Sequence, residues 1–256
     1  MLRSLYIAST GMEAQQLNVD TIAHNISNVN TNGFKKTRIE FQDLLYQNIK
    51  RPSANIPSGL DIGMGVKPAT TYTLFSQGNL TPTQNPTDVA IVGNGFFRLE
   101  GGGSDENLFT KDGAIKVDGE GNLVNADGFK YAGAEQIDSE GYDVAIGKDG
   151  TITYKTADGG VQEAGKLEVF KFLNPAGMEK LGGNLYKATD SSGEGSQWDS
   201  ESDSTIKLEG QFLESSNVQI VDEMVNLITA QRAYEVNSKV IQSSDEMLQT
   251  ATNLRR

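Results

Sequence analysis

The last forty residues of the chain carry a seven-residue repeat of apolar side chains. The segment from Asn217 to Arg256 contains neither proline nor glycine. Its repeating positions are Ile220, Leu227, Tyr234, Ile241 and Leu248, with a neighbouring row at Ala233, Val240, Met247 and Leu254. This pattern predicts one amphipathic helix of roughly 55 Å, at about 1.5 Å per residue. A heptad repeat of this length is typical of a coiled coil, so we expect the helix to need a helical partner.

The N-terminal residues have the same design. Two rows repeat every seven residues, and their members are Leu5, Met12, Val19 and Ile26, then Ala8, Gln15, Ile22 and Val29. We expect a helix over residues 2–29, about 40 Å long, that ends where Asn and Gly accumulate before Gly33. We expect the two helices to pair, and the longer one to keep part of its seam for other subunits. Gly11 is either tolerated in an exposed position or marks the close approach of a neighbouring helix.

From Leu74 to about Glu214 the apolar positions alternate with a period of two, between Gly and Asp-Gly turns. This pattern predicts short strands and an all-β domain built mostly from antiparallel pairs. The expected strands are Val89–Val92, Phe96–Leu99, Ala114–Val117, Leu123–Val124, Lys166–Phe172 and Thr205–Gln211. Residues 190–204, which include Trp198, are expected to form a polar loop.

The predicted fold class is therefore α+β, with long N- and C-terminal helices paired as a coiled coil and an antiparallel β domain between them. Four parts are expected: an N-terminal helix in 1–36, a connector in 37–72, the β domain in 73–215 and a C-terminal helix in 216–256. Within the connector, Phe41, Leu44 and Leu45 suggest a short helical turn, and the β-branched residues Thr70–Thr73 favour a strand.

Composition narrows the kinds of protein that fit this pattern. The 256-residue chain has a net charge of −12, and residues 37–215 carry this whole charge, with 15 basic against 27 acidic side chains. Nearly neutral ends and an acidic middle suit ends that pack together and a middle that stays in water. No basic stripe with interleaved aromatic residues occurs, so a nucleic-acid partner is not expected. The small basic cluster Lys35, Lys36 and Arg38 is interpreted as a solvated face.

Membrane insertion and thiol chemistry are not indicated. The sequence has no run of eighteen apolar residues and no cysteine. Residues Met1 to Thr31 lack the continuous apolar core of a signal peptide, so cleavage of a leader is not expected.

The candidate chemical sites each have a structural explanation. His24 is the single histidine and is expected on a helix face. Gly93-Asn94-Gly95 lacks the third glycine of a dinucleotide fingerprint and is interpreted as a tight turn. Residues 118–122 resemble a calcium loop but have Leu123 at the sixth position, so a hairpin is favoured. We therefore expect no catalytic, cofactor-binding or metal-binding residues.

Several stretches of the chain resemble bacterial flagellar rod and hook proteins. The most specific is Asn25-(x2)-Asn28-Val29-Asn30-Thr31-(x)-Gly33-Phe34-Lys35, within the stretch from Ser9 to Gln47. A second similarity covers Asp88 to Phe97 and Phe109 to Gly113, and a third covers Leu213 to Leu248. Within this family the chain is most similar to the distal-rod members.

The resemblance implies a structural subunit of the flagellar basal body that polymerises into a helical tube and transmits torque. It implies export by the flagellar secretion machinery and a place in the rod that crosses the periplasm. The implied partners are other copies of the chain and other axial proteins (proximal rod and hook), with ring or bushing proteins as further candidates. No nucleic acid, small-molecule substrate or cofactor is expected.

The heptad rows supply the expected assembly interface. Its residues are Leu5, Met12, Val19, Ile22, Ile26, Ile220, Leu227, Tyr234, Val240, Ile241, Met247 and Leu248. Alternatives are another axial protein (proximal rod or hook), a coiled-coil adhesin and a secreted wall-cleaving enzyme. The last would need an aligned pair of carboxylic acids in a cleft, and the sequence marks no carboxylate by an apolar setting that would raise its pKa.

Overall fold

A computed structural model describes residues 2–50, 59–101, 107–138, 141–156, 160–200 and 205–253. The chain divides into two compact units. The first, called here the terminal unit, comprises Met1–Ser27, Thr37–Thr73 and Gln219–Arg256. The second, called here the β unit, comprises Asn28–Lys36 and Leu74–Val218.

This division differs from the four predicted parts in two places. The expected connector groups with the two helices, because its strands pair with each other and contact the N-terminal helix. Residues 28–36, expected with the N-terminal helix, group instead with the β unit. The physical reason is that backbone hydrogen bonds tie this segment to residues of the β unit, as described below.

The terminal unit contains both long helices and two antiparallel strand pairs. Helix α1 spans Leu2–Ser27 and helix α2 spans Ile220–Asn253. The strands are β1 (Thr37–Asp43) with β4 (Val66–Thr73), and β2 (Tyr46–Lys50) with β3 (Leu60–Gly63). The two predicted helices are confirmed, and so is the strand over Thr70–Thr73. The helical turn predicted at Phe41 is wrong, because that residue pairs with Pro68 in the β1–β4 ladder.

The β unit contains the remaining strands and one short 3-10 helix, Pro175–Gly177. The strands are β5 (Leu80–Pro82), β6 (Val89–Val92), β7 (Gly95–Glu100), β8 (Leu108–Thr110), β9 (Lys116–Val117), β10 (Leu123–Val124), β11 (Lys130–Tyr131), β12 (Tyr142–Ile146), β13 (Thr151–Lys155), β14 (Val161–Lys166), β15 (Val169–Lys171), β16 (Glu179–Gly182), β17 (Leu185–Lys187), β18 (Ser196–Gln197), β19 (Lys207–Gly210) and β20 (Phe212–Glu214).

All strand pairs in the described residues are antiparallel, so the predicted α+β fold with an antiparallel β middle is confirmed. The largest sheet has the order β16-β17-β8-β7-β11-β10-β9, with β15 and β18 joined to it through β7. Strands β12, β13 and β14 form a separate meander, β19 pairs with β6, and β20 pairs with β5.

Predicted turns and strands are found at most of the expected places. The turn at Asp118 closes the predicted hairpin between β9 and β10, with the Asp118 amide donating to the Asn122 carbonyl at 2.9 Å. Gly93 has a φ of 111° in the tight turn between β6 and β7. Trp198 was expected in a polar loop, but only 8% of it is exposed, because it packs into the main apolar cluster. Residues 201–204 of that loop lie outside the described residues.

The β unit has its own apolar core in two clusters. The larger surrounds fully buried side chains such as Val89, Ile152 and Leu208. The smaller is aromatic, and Phe96 and Phe109 each meet Phe172 edge-to-face, at centroid distances of 5.8 and 4.8 Å. Burial of this many apolar side chains stabilises the β unit through its own core.

The backbone packs closely where Gly113 meets β6. A Cβ atom added at Gly113 would lie 1.6 Å from the Val89 carbonyl oxygen, which itself belongs to the core. A Cβ at Gly119, in the exposed β9–β10 turn, would meet nothing within 4 Å.

We therefore expect Gly113→Ala to lower the free energy of unfolding by about 3 kcal/mol or more, since the strand must move to admit the methyl group. Gly119→Ala is the matched control and should change it by less than about 0.5 kcal/mol. Chemical denaturation of the two full-length variants measures the difference. Equal stabilities would contradict the packing described for Gly113.

Candidate assembly surface and buried ionic cluster

Helices α1 and α2 meet through small and polar side chains. The Ser4 and Ser244 hydroxyl oxygens are 3.2 Å apart. A Cβ atom added at Gly11 would lie 2.8 Å from Asn237 Nδ2, so Gly11 faces α2 and a methyl group there requires the Asn237 side chain to move. This position favours the close approach of a neighbouring helix as the explanation of Gly11.

A third contact lies at the other end of the same seam. Asn25 Nδ2 donates to Glu223 Oε2 at 3.3 Å, and both residues are buried. From one of these three contacts to the next, the residue number rises by seven or fourteen in α1 and falls by the same amount in α2. The helices are therefore antiparallel and in heptad register. The facing rows are Ser4, Gly11, Asn18 and Asn25 on α1, and Glu223, Ala230, Asn237 and Ser244 on α2.

This seam lies one position away from the row predicted on α1. Leu5, Met12, Val19 and Ile26 are half-buried and flank the seam, whereas Ile22 is buried. On α2, three predicted residues are half-buried, namely Leu227, Ile241 and Leu248. The other four predicted residues are exposed, namely Ile220, Tyr234, Val240 and Met247. The predicted row member Leu254 lies outside the described residues.

The terminal unit buries few apolar side chains of its own. Its buried apolar residues, within the described ranges, are Ala8, Ala14, Ile22, Ile39 and Ala230. Eighteen of the described large apolar side chains that are exposed belong to the terminal unit, and four belong to the β unit. An exposed apolar surface of this kind is typical of a site of association with another protein.

The exposed side chains form an unforeseen stripe at the start of α2. Val221, Met224, Val225 and Ile228 follow the i, i+3, i+4, i+7 spacing of one helix face, and each is 47% to 74% exposed. None of the four was predicted as an interface residue, because the heptad rows were chosen by their exact spacing of seven. The helical spacing itself was the signal that could have identified them.

Asn25 also fixes the start of β1. Its Nδ2 donates to the Thr37 carbonyl at 2.8 Å, and its Oδ1 accepts from the Thr37 amide at 3.0 Å. The side-chain amide thus replaces a neighbouring strand for one residue. Burial of Asn25 at 2% exposure is possible because these bonds satisfy its polar atoms.

Within the β unit, residues 28–36, called here the signature segment, are held by bonds along their length. The Gly33 amide donates to the Glu214 carbonyl at 2.8 Å, and Asn184 Nδ2 donates to the Asn32 carbonyl at 3.1 Å. The Lys36 amide donates to Asn217 Oδ1 at 2.7 Å. Gly33 has a φ of 68°, a conformation that explains the glycine in this pattern. The segment that follows α1 in the chain is thereby bonded to the segment that precedes α2.

A buried ionic cluster anchors the signature segment. The Lys35 ammonium forms an ion pair with Glu214 Oε1 and donates to the Ser76 carbonyl at 2.8 Å. Lys111 Nζ lies 3.7 Å from Glu214 Oε2 and donates to the Gly93 carbonyl at 2.8 Å. The three charged residues are between 0% and 3% exposed. The interpretation of Lys35 as part of a solvated face is wrong, because Lys35 is fully buried. Its charge partner lies 179 residues away in the sequence, so no local pattern indicates the burial.

The cluster is electrostatically unbalanced, because two ammonium groups share one carboxylate. Burial lowers the pKa of Lys35, and the nearby Glu214 carboxylate opposes this effect. Burial lowers the pKa of Lys111 to about 8, with Glu214 raising it and Lys35 lowering it further. Glu214 Oε1 accepts from the Gly78 amide at 2.7 Å, whereas Glu214 Oε2 accepts no hydrogen bond from the described residues.

The remaining candidate positions have simple surroundings. His24 is exposed on α1. No three His, Asp or Glu side chains in the described ranges come together in a group that could hold a metal ion. Neither helix, over its described residues, is long and apolar enough to cross a membrane.

Comparison with protein families matches three regions of the chain. Residues 5–35 match the flagella basal body rod protein model, and residues 90–154 match the D1 domain of the flagellar hook protein FlgE/F/G. Residues 209–254 match the C-terminal model of the flagellar basal body rod FlgEFG protein. These matches define the class as flagellar rod and hook proteins, which are structural proteins and not enzymes.

Curated relatives agree along the whole chain. The flagellar basal-body rod protein FlgG of Borreliella burgdorferi is 42% identical, with 100% of both chains covered. FlgG of Buchnera aphidicola (subspecies Baizongia pistaciae) is 41% identical over 97% of this chain and 98% of its own. FlgG of Bacillus subtilis is 38% identical, again with 100% of both chains covered. The chain belongs to the FlgG family of flagellar basal-body rod proteins and is a structural subunit of the rod.

Among solved structures, the Helicobacter pylori flagellar hook protein FlgE2 is 15% identical. The match covers 70% of this chain and 43% of the hook protein, with a TM-score of 0.26.

The α1–α2 seam leads to a compensation experiment. Gly11→Ala should gain helix propensity of about 1 kcal/mol but push against Asn237. Combined with Asn237→Ala the push disappears, so we expect a favourable coupling free energy of about 0.5–1 kcal/mol between the two changes. Thermal unfolding followed by circular dichroism at 222 nm measures it.

The control replaces Asn237→Ala by Asn226→Ala, an exposed asparagine on the same helix. Gly11→Ala and Asn226→Ala should be additive within about 0.5 kcal/mol. Coupling of the same size in both pairs would contradict the register proposed for the seam.

The ionic cluster leads to a stability prediction. Lys35→Met leaves the buried Glu214 carboxylate without its nearest cation, and we expect it to lower the free energy of unfolding of the β unit by about 3–5 kcal/mol. Lys130→Met, an exposed lysine on β11, is the control and should change it by less than about 0.5 kcal/mol. Urea denaturation monitored by Trp198 fluorescence reports on both, and a Lys35→Met variant as stable as the control would refute the anchoring role.

Proposed function

We propose that the chain is a subunit of the distal rod that polymerises with copies of itself into a helical tube and carries torque. The observation that carries this proposal is the unequal exposure of the two units. The terminal unit leaves most of its large apolar side chains exposed, although the same chain builds a complete core in its β unit. Neighbouring subunits are the partners that would bury these side chains.

The two helices divide their faces between two tasks in this proposal. The intrachain seam uses small and polar residues, which set register and orientation but contribute little apolar burial. The flanking rows, with Leu5, Met12 and Leu248 among them, are half-buried and have apolar area left for other copies. The predicted coiled coil is completed between subunits, where these rows pack against helices of neighbours.

A groove between α1 and α2 gives one such contact a defined place. It has a volume of about 400 Å³ and is lined by Gln16, Val19, Gln231, Tyr234 and Glu235. Two of the predicted interface residues, Val19 and Tyr234, contribute its apolar lining. We assign to it an apolar side chain from the next subunit, because a single chain leaves the groove open.

Head-to-tail contacts whose rotation does not close into a ring extend into a helical filament, and this is the mode of growth in the proposal. The β unit adds lateral contacts between subunits. Other axial proteins of the proximal rod and hook meet the two ends of the filament, and ring or bushing proteins are further candidates for its outer surface. A position across the periplasm completes the proposal.

Apolar burial between subunits predicts that one charge on the α2 stripe blocks assembly. Val225 is 55% exposed on α2, so an Asp carboxylate at this position can reach water in the single chain, and we expect the β unit to stay folded. The carboxylate would be desolvated in the polymer, which costs several kcal/mol at every subunit contact. Val225→Asp should therefore abolish rods and motility.

Val161→Asp is the matched control, because Val161 is 66% exposed on β14 of the β unit. Electron microscopy of isolated basal bodies and a soft-agar motility assay compare the two variants. Normal rods in Val225→Asp would refute the proposed assembly surface. Missing rods in both variants would show that the effect is not specific to the helices.

A further inference from the structure

The buried cluster around Glu214 combines two parts of the chain that arrive separately. Lys35 belongs to the signature segment, whereas Lys111 and Glu214 belong to the body of the β unit. If the signature segment is unseated, Lys111 and Glu214 remain as one cation and one anion. Seating the segment adds a second ammonium group, so the same buried space then holds one positive charge in excess.

The geometry shows which lysine carries the excess. Lys35 occupies the near oxygen of Glu214 and also donates to a carbonyl oxygen. Lys111 is 3.7 Å from the other oxygen, beyond hydrogen-bonding distance, and its remaining partners are a carbonyl oxygen and the ring of Phe96 at 5.7 Å. A neutral Lys111 amine can still donate a hydrogen bond to the carbonyl oxygen and lie against the ring. Lys111 can therefore lose its proton and keep its position.

We propose that seating of the signature segment on the β unit is coupled to release of a proton from Lys111. The proton passes from the Lys111 ammonium to water, which leaves a neutral amine beside an intact Lys35–Glu214 ion pair. This inference concerns a single folded chain and holds whether or not the chain forms a rod. It makes the attachment of the segment between α1 and β1 stronger at mildly alkaline pH than at neutral pH.

The surrounding ionisable groups leave Lys111 as the group that titrates. Glu214 faces it from β20 and Lys35 from the signature segment. Tyr186 on β17 senses the Glu214 carboxylate, and burial raises its pKa to about 12, so it stays neutral below that pH. Burial raises the pKa of the adjacent Asp112, whose charged neighbours are Asp88 and Lys116. The pKa of Lys111, lowered to about 8, places its proton loss in the required range.

The sign of the effect follows from linkage. Burial first, and then the charge of Lys35, lower the pKa of Lys111 to about 8 when the segment is seated. Departure of the segment removes Lys35 and admits water, so we expect the pKa of Lys111 to move back toward its ordinary value of 10.5. The seated state therefore binds fewer protons between these values, and raising the pH favours it. Between pH 7 and pH 9 the seating equilibrium should increase by up to about tenfold.

The experiment measures hydrogen exchange of residues 28–36 in the purified full-length chain at pH 7, 8 and 9. The Gly33 amide, which donates to the Glu214 carbonyl, is the reporter. After division by the intrinsic exchange rate, we expect its protection in the wild-type chain to rise by up to about tenfold across this range. A flat wild-type profile would overturn the proposal.

Lys111→Met keeps the Lys35–Glu214 pair and removes the titrating group, so we expect high protection that is independent of pH. Lys111→Arg keeps a cation that cannot lose its proton, so we expect low protection that is also independent of pH. A pH-dependent rise in either variant equal to that of the wild-type chain would overturn the assignment to Lys111. Lys130→Met controls for the loss of a surface charge and should retain the wild-type slope.

Discussion

The ion pair between the buried Glu214 carboxylate and Lys35 is the interaction on which attachment of the signature segment depends. The Glu214 side chain holds Lys35 from the segment that follows α1, and its backbone carbonyl accepts the Gly33 amide of the same segment. Glu214 itself ends β20, shortly before α2 begins. Desolvation costs several kcal/mol for each ion of such a pair, and removal of one partner exposes that cost. The pair thus makes correct attachment of the segment strongly preferred over a loosely attached alternative.

Two kinds of stabilisation are separated along this chain. The β unit is held by apolar clusters, edge-to-face aromatic contacts and close backbone packing, as at Gly113. The terminal unit has hydrogen-bonded contacts such as Asn25 with Glu223, and three of its five buried apolar residues, among those described, are alanines. Apolar burial dominates folding free energy, so the β unit draws more of its stability from its own core than the terminal unit does. This difference suits the proposed packing of the terminal unit against neighbouring subunits.

Polar residues in the helix seam give specificity where apolar residues would give strength. Ser4, Gly11 and Asn25 accept one register with Ser244, Asn237 and Glu223, since a shift by one turn would bury amide and carboxylate groups without partners. The large apolar side chains remain outside this seam. An intrachain pairing built from leucines would have used the surface that assembly needs.

The sequence by itself determined the two helices, the antiparallel β middle, the turns at Gly93 and Asp118, and the family. These follow from local periodicity and turn chemistry, which act over a few residues and are therefore visible in the chain. Tertiary structure decided which row of α1 faces α2, because small residues permit an approach that larger neighbours prevent. It also decided the burial of Lys35, since the charge that compensates it lies 179 residues away and no local pattern specifies that distance.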